Sequence, residues 1–219
     1  ASDVYKRQVM LTTNLSGRLG SALVEYLPDT QLILLLGAMI VSLILGMGLP
    51  TPVAYIIVAL ALVPFMQQIG IPPLQAHFFV FYFAVFSTLT PPVAVSVLAA
   101  AKLGEATFLS TAKDAMKIAL TTFIIPFAFV FSPELMLFPN VTWGTMLAVV
   151  EVVFVQLAVS VASYGFLIRS LNGFERGVYA FVALSGFLGF TYDSNFWYVA
   201  VALFMVISGY VFVSNKTQK

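Results

Sequence analysis

Two short motifs combine helix-breaking residues with hydroxyl oxygens. The first is Gly46-Met47-Gly48-Leu49-Pro50-Thr51-Pro52 and the second is Ser87-Thr88-Leu89-Thr90-Pro91-Pro92. A broken helix bares C=O groups where it stops and N–H groups where it restarts. The carbonyls, at the negative end of the helix dipole, suit a hard cation, and the N–H groups at the positive end suit a carboxylate. Gly46 and Gly48 allow backbone angles other residues resist and let a ligand approach closely. Pro50, Pro52, Pro91 and Pro92 lack an N–H and suit the first turn of a restarting helix. Thr51, Ser87, Thr88 and Thr90 add neutral oxygens, a set that can hold Na⁺ and carries no fixed charge when empty. The bland alternative is a pair of Gly/Pro kinks whose hydroxyls bond back to the preceding turn. Two breaks of this density, about 40 residues apart, favour a site over paired kinks.

Other polar residues offer less chemistry. His77 is the single histidine and stands beside Phe78-Phe79 near the start of an apolar segment, which reads as an interfacial histidine rather than a proton relay. Glu151 and Gln156 fall inside the apolar stretch 145–168. An acid within a membrane span is a functional candidate by default, but Glu151 stands within two turns of the end and can reach the interface. Asp193 sits in a short loop and reads as solvated. No metal-ligand spacing, paired catalytic carboxylates, nucleophile elbow or phosphate loop occurs. With no cysteine, a disulfide framework and a thiolate metal site are excluded.

The elements that must hold the two motifs belong in lipid. Residues 31–101 contain no Asp, Glu, Lys or Arg. Of all 219 residues 9% are charged, against roughly 25% in soluble domains, and 61% are hydrophobic. The mean hydropathy is +1.02. This composition is that of an all-α polytopic membrane protein. A net charge of +1 argues against a nucleic-acid partner. Breaking a helix in lipid strands polar groups where no water can replace the lost partner, so two breaks in one charge-free run point to use.

Residues 9–30 predict an amphipathic helix at the membrane interface, with Leu11, Leu15, Leu19, Leu23, Val24 and Leu27 at helical spacing and Pro28 ending it. Residues 31–45 and 53–66 predict two short helices around the first break. A span needs ~20 residues, so this pair is either one kinked span or a re-entrant hairpin. Residues 67–75 read as a loop. Residues 76–86 and 93–101 read as two halves of one broken span. Residues 102–117 return to water. Apolar segments follow at 118–138, bent by Pro126 and Pro133, then at 145–168, 177–190 and 196–213, with Trp143 and Trp197 as interfacial anchors. Lys and Arg alternate from loop to loop: three in 102–117, none in 133–144, two in 169–176, none in 191–195 and two in the tail. By the positive-inside rule the C-terminus is cytoplasmic and the 67–75 loop is periplasmic. If the first two limbs form a hairpin, its tip lies level with the second break. If they form a kinked span, residues 9–30 are cytoplasmic.

Residues 46–55, Gly-Met-Gly-Leu-Pro-Thr-Pro-Val-Ala-Tyr, together with His77-Phe78-Phe79-Val80-Phe81-Tyr82-Phe83-Ala84-Val85-Phe86-Ser87 and Thr90-Pro91-Pro92-Val93-Ala94, resemble the large permease of TRAP transporters, the DctM-like family. The resemblance is nearest to the TAXI-type fused permeases. It covers roughly residues 11–135 well, and the C-terminal spans more loosely through the turn at 169–176. It implies a secondary transporter of the elevator type in the bacterial inner membrane, driven by Na⁺ and without a cofactor. Small organic acids would arrive from a separate periplasmic solute-binding protein. The family has two inverted halves, each with a hairpin and a broken helix, which favours the hairpin over the kink.

The chain would then hold the second half. Its transport core is 31–138, made of the hairpin 31–66, the broken helix 76–101 and the span 118–138, and 139–219 adds further spans. By motif match, Gly46, Gly48 and Thr51 at one tip and Ser87, Thr88 and Thr90 at the other would hold Na⁺. With Met47, Pro50, Pro91 and Pro92 they would border the substrate. The first half is expected to be missing, and the chain alone should not transport. Residues 1–8, Ala-Ser-Asp-Val-Tyr-Lys-Arg-Gln, resemble a translated sequencing adapter, which marks the chain as an expected C-terminal fragment. Two readings from other classes compete. The lack of polar catalytic clusters counts against an integral-membrane enzyme. Hairpins that stop at mid-membrane argue against a passive channel.

Overall fold

The computed structural model describes residues 8, 12–27, 30–136, 141–192 and 195–217. Most of the expected adapter segment, along with Pro28 and Asp193, lies outside the described residues. The helices are α1 (Leu15–Tyr26), α2 (Gln31–Gly46), α3 (Thr51–Gln68), α4 (Pro73–Phe86), α5 (Val95–Leu103), α6 (Phe108–Thr122), α7 (Ile124–Phe131), α8 (Trp143–Tyr164), α9 (Gly173–Thr191) and α10 (Asn195–Thr217), with a 3₁₀ turn at Pro133–Met136. Among the described residues, four stretches are long and apolar enough to cross a membrane: Thr51–Gln68, Phe108–Phe131, Trp143–Tyr164 and Asn195–Asn215. Helices α2 and α4 are apolar but shorter. The chain divides into two compact units, Ala1–Met116 and Lys117–Lys219.

In the first unit α2 and α3 fold back on each other as a helical hairpin, and α4 packs on both limbs. Glycine and proline set the turn. Met47 (φ −57°, ψ 130°) and Gly48 (φ +72°) form the centre of a type II turn, closed by the Leu49 N–H on the Gly46 carbonyl at 3.3 Å. The second central residue of such a turn needs positive φ, which glycine adopts without strain. Pro50 then takes extended angles as the N-cap of α3, with Pro52 in its first turn. Leu34, Leu35 and Ala38 of α2, Ala54, Val58, Ala61 and Leu62 of α3, and Phe79, Val80, Phe83 and Ala84 of α4 are at most 2% exposed. In lipid there is little hydrophobic drive to bury leucine, and close helix contact comes from small residues. Ala38, Ala54, Ala61 and Ala84 serve that end here, while Ile40, Ile44 and Ile56 face outward.

The apolar side of α1 is taken up by the hairpin. A Cβ on Gly20 would lie 3.2 Å from Phe65, and one on Gly37 would lie 2.6 Å from Leu27 and 2.8 Å from Leu23. Residues 102–117, expected as a polar loop, are instead largely helical. Helix α6 starts at Phe108, and only Phe123 interrupts the path into α7. Its charges Lys113 and Asp114 are exposed while Ala112 and Ala119 are buried, so one amphipathic face carries the chain into the span. The interruption has a cause in Pro126, which cannot bond to the Thr122 carbonyl and crowds it.

The second unit packs α9 between α8 and α10. Helix α8 starts with a reciprocal cap between Thr142 and Thr145 and stops at Tyr164, four residues before the expected limit. Gly165 takes a left-handed conformation (φ +66°), and Arg176 donates from Nε to the Ala162 carbonyl at 3.0 Å and from its terminal nitrogen to that of Ser163 at 3.2 Å. Helix α9 begins inside the expected basic turn. The Asn172 side chain accepts from the Glu175 N–H at 2.8 Å, and the Glu175 carboxylate accepts from the Asn172 N–H at 2.9 Å. This is a capping box. Arg169 forks onto the same carboxylate at 2.6 and 3.1 Å. Those two bonds, and then the Asn172 N–H, hold the Glu175 carboxyl below the ordinary carboxylate range. Tyr179 and Ser208 join α9 to α10 at 2.8 Å. Trp143 is 74% exposed, as an anchor would be, but Trp197 is not. It packs on Gly189 and lies edge-on to Phe154 at 4.9 Å, because the glycine leaves room for its backbone.

Candidate functional site

The two motifs meet in the first unit. Gly46 ends α2 against Ser87, which follows the last turn of α4. A Cβ at Gly46 would lie 2.8 Å from the Ser87 Cβ, closer still to its Oγ, and 3.5 Å from the Ala84 carbonyl. One step further, a Cβ at Gly48 would lie 3.4 Å from Val93, beyond the second break. The hairpin tip thus rests on the break in the neighbouring helix, and only glycine permits that approach at Gly46.

Ser87 is fully buried and donates its hydroxyl hydrogen to the Ala84 carbonyl at 2.6 Å. Thr88 donates to Val85 at 2.9 Å and Thr90, 8% exposed, to Phe86 at 3.0 Å. All three hydroxyls therefore bond back to the preceding turn, as a plain kink would have them. That bond uses only the hydrogen and leaves each oxygen its lone pairs. The Ser96 N–H reaches across the break to the Thr88 carbonyl at 3.2 Å. Among the described residues, no hydrogen bond reaches the carbonyls of Leu89, Thr90, Pro91 and Pro92, nor those of Met47, Gly48 and Leu49.

Thr51 opens α3 half-buried, Met47 is half-buried, and Gly48 and Pro50 are exposed. Pro91 and Pro92, joined by a cis peptide, do not lie in the first turn of α5 as expected. They stand in the connecting loop, because Ala94 takes a left-handed conformation (φ 38°) and the helix can begin only at Val95. Both prolines are exposed.

The arrangement gathers neutral oxygens and bare helix ends. Among the described residues no group of three or more His, Cys, Asp or Glu could hold a metal ion. A cation at the breaks would therefore rest on hydroxyl and carbonyl oxygens. Glu151 belongs to α8 of the second unit and is half-buried. One feature escaped the sequence reading. The Tyr55 hydroxyl lies 2.9 Å from Nδ1 of His77, joining α3 to α4. Both residues sit in the motif-bearing segments, but nothing in their spacing pairs a residue on one helix with one 22 positions on.

The first unit thus presents a helical hairpin seated on a helix break, in a charge-free part of a helical multi-pass membrane protein. A model of the family described as Tripartite ATP-independent periplasmic transporter, DctM component, matches residues 5–144, and the chain belongs to that family. It is a family of transporter permeases and not of enzymes. The match contains both breaks and ends where α8 begins, so the body of α8 and all of α9 and α10 lie beyond it. Comparisons with curated proteins and with solved structures found no match.

Proposed function

We propose that this chain is the C-terminal part of a Na⁺-coupled, TAXI-type permease. It would carry small organic acids, delivered by a periplasmic solute-binding protein, across the bacterial inner membrane with its C-terminus in the cytoplasm. The observation that carries this reading is the contact of Gly46 on Ser87, which brings two helix breaks to one place. In this reading α2 and α3 form a re-entrant hairpin and α4 and α5 a discontinuous helix, the second inverted repeat of an elevator-type transporter. Na⁺ rests on Thr51, Ser87, Thr88 and Thr90 and on the open carbonyls of the two turns. The N–H groups at the start of α3 face the substrate carboxylate. Ion and carboxylate cancel each other's charge. The loaded site is then close to neutral, as is the empty one, and either crosses lipid at lower cost than a charged site. The test is uptake by the full-length permease in proteoliposomes, with and without Na⁺ and with and without the binding protein. Uptake should require both. Uptake that ignores both sinks the reading.

A further inference from the structure

Histidine is the side chain whose ordinary titration falls between pH 5 and 8, and this chain has one. His77 sits in the second turn of α4, bonded to Tyr55, which stands one turn after Thr51 on α3. The bond ties the limb that leaves the hairpin tip to the helix that ends at the second break. Phe81 meets the Tyr55 ring edge-on at 5.6 Å. Tyr55, Leu74, His77, Phe78 and Phe81 line a cavity of about 350 Å³ beside the ring. Nothing else on these helices competes for that role. Helix α2 has no ionisable side chain, α3 has only Tyr55, and α4 adds only Tyr82. Helix α1, packed on α2 and α3, brings Arg18, Glu25 and Tyr26, all exposed.

Neutral imidazole can accept the Tyr55 proton at Nδ1, whereas imidazolium must donate there, so protonation reverses the bond. It also sets a positive charge in the second turn of α4, at the positive end of that helix's dipole. Ser87, the residue that caps the end of α4, follows ten residues later, ~15 Å along the helix axis, where a cation at the breaks would sit. We propose that His77, oriented by Tyr55, is a proton-binding site coupled to the breaks, and that a proton at His77 and a cation at the breaks each weaken the other's binding. This rests on the ion reading above. At an effective dielectric of ~20, two unit charges ~15 Å apart shift an affinity by about sixfold, and by linkage the shift is the same in both directions.

The single histidine makes the test direct. With uniform ¹⁵N labelling, the 219-residue chain in lipid nanodiscs gives one imidazole to follow by NMR, beside the backbone amides, as pH is varied. Na⁺ is compared with N-methylglucamine at equal ionic strength. Na⁺ should lower the His77 titration midpoint by about 0.8 pH unit, the equivalent of the sixfold shift, and Thr90→Val should abolish that displacement. Tyr55→Phe should move the midpoint even in N-methylglucamine. If amide signals of residues 46–52 and 87–92 respond to Na⁺ while the midpoint stays fixed, this inference falls alone. If no such amide responds, the ion reading falls and takes this one with it. An equal displacement in Thr90→Val means general screening and also overturns the coupling.

Discussion

Gly46→Ala adds one methyl group where the hairpin tip rests on the broken helix. The new Cβ would lie 2.8 Å from the Ser87 Cβ and closer to its Oγ, with the Ala84 carbonyl at 3.5 Å. Ser87 has little freedom to yield, since it is fully buried and its hydroxyl is held by Ala84 at 2.6 Å. Rotating it gives up a hydrogen bond of about 1 kcal/mol, and displacing backbone in a packed site costs about 1–3 kcal/mol. Alanine in place of glycine at the end of a helix returns up to about 1 kcal/mol. The net effect is about 1–3 kcal/mol against the seated tip, or a factor of about 5–150 in its population at tenfold per 1.4 kcal/mol. The assay is Na⁺-dependent uptake by the full-length permease in proteoliposomes. The half-saturating Na⁺ concentration should rise by about that factor, because in the proposed function the ion needs both breaks together. Ser87→Gly removes both atoms in the clash, so in that background Gly46→Ala should change nothing further. A Gly46→Ala variant with native Na⁺ dependence, or one whose defect persists unchanged beside Ser87→Gly, refutes the reasoning.

The absence of native cysteine allows a covalent check of the same contact. A Gly48→Cys/Val93→Cys pair should be joined by mild oxidation, read as a mobility shift on a gel, since the Gly48 Cβ position lies 3.4 Å from a Val93 methyl; a side chain at φ +72° costs the turn about 1–2 kcal/mol, so the yield should be partial. In the second unit, the depressed Glu175 carboxyl adds stability that is complete above the ordinary carboxylate value of ~4.3 and is lost as pH falls through the lower folded-state value. Thermal unfolding followed through Trp197 should therefore weaken on acidification below about pH 4, and Glu175→Gln should be less stable at neutral pH with a shallower acid limb.

Gly46–Pro52 and Ser87–Pro92 could be read as breaks because glycine and proline act locally, through allowed angles and a missing N–H. The observed helix ends at Gly46 and Phe86 follow from that chemistry. That Gly46 touches Ser87 was not legible, because the contact joins positions 41 apart and depends on how the hairpin leans on α4. The Tyr55–His77 bond was hidden for the same reason. Charge counting misjudged residues 102–117, since Lys113 and Asp114 fit on one exposed face of a helix as easily as in a loop. It also treated 169–176 only as a basic turn that sets orientation. There Arg169 is committed to Glu175 and Arg176 to the end of α8, so both arginines shape the turn. Local chemistry thus shows where the chain must bend, and packing decides what each bend meets.

The central claim is that the two breaks form one cation site built of neutral oxygens, and Thr51→Val with Thr90→Val tests it most directly. Each swap keeps side-chain volume and removes one hydroxyl oxygen, one from each break. Measured as Na⁺-dependent uptake by the full-length permease, each should raise the half-saturating Na⁺ concentration by about tenfold or more, the worth of a hydrogen-bond-strength contact to a charged group. Unchanged Na⁺ dependence in both variants would place the ion elsewhere and contradict the account.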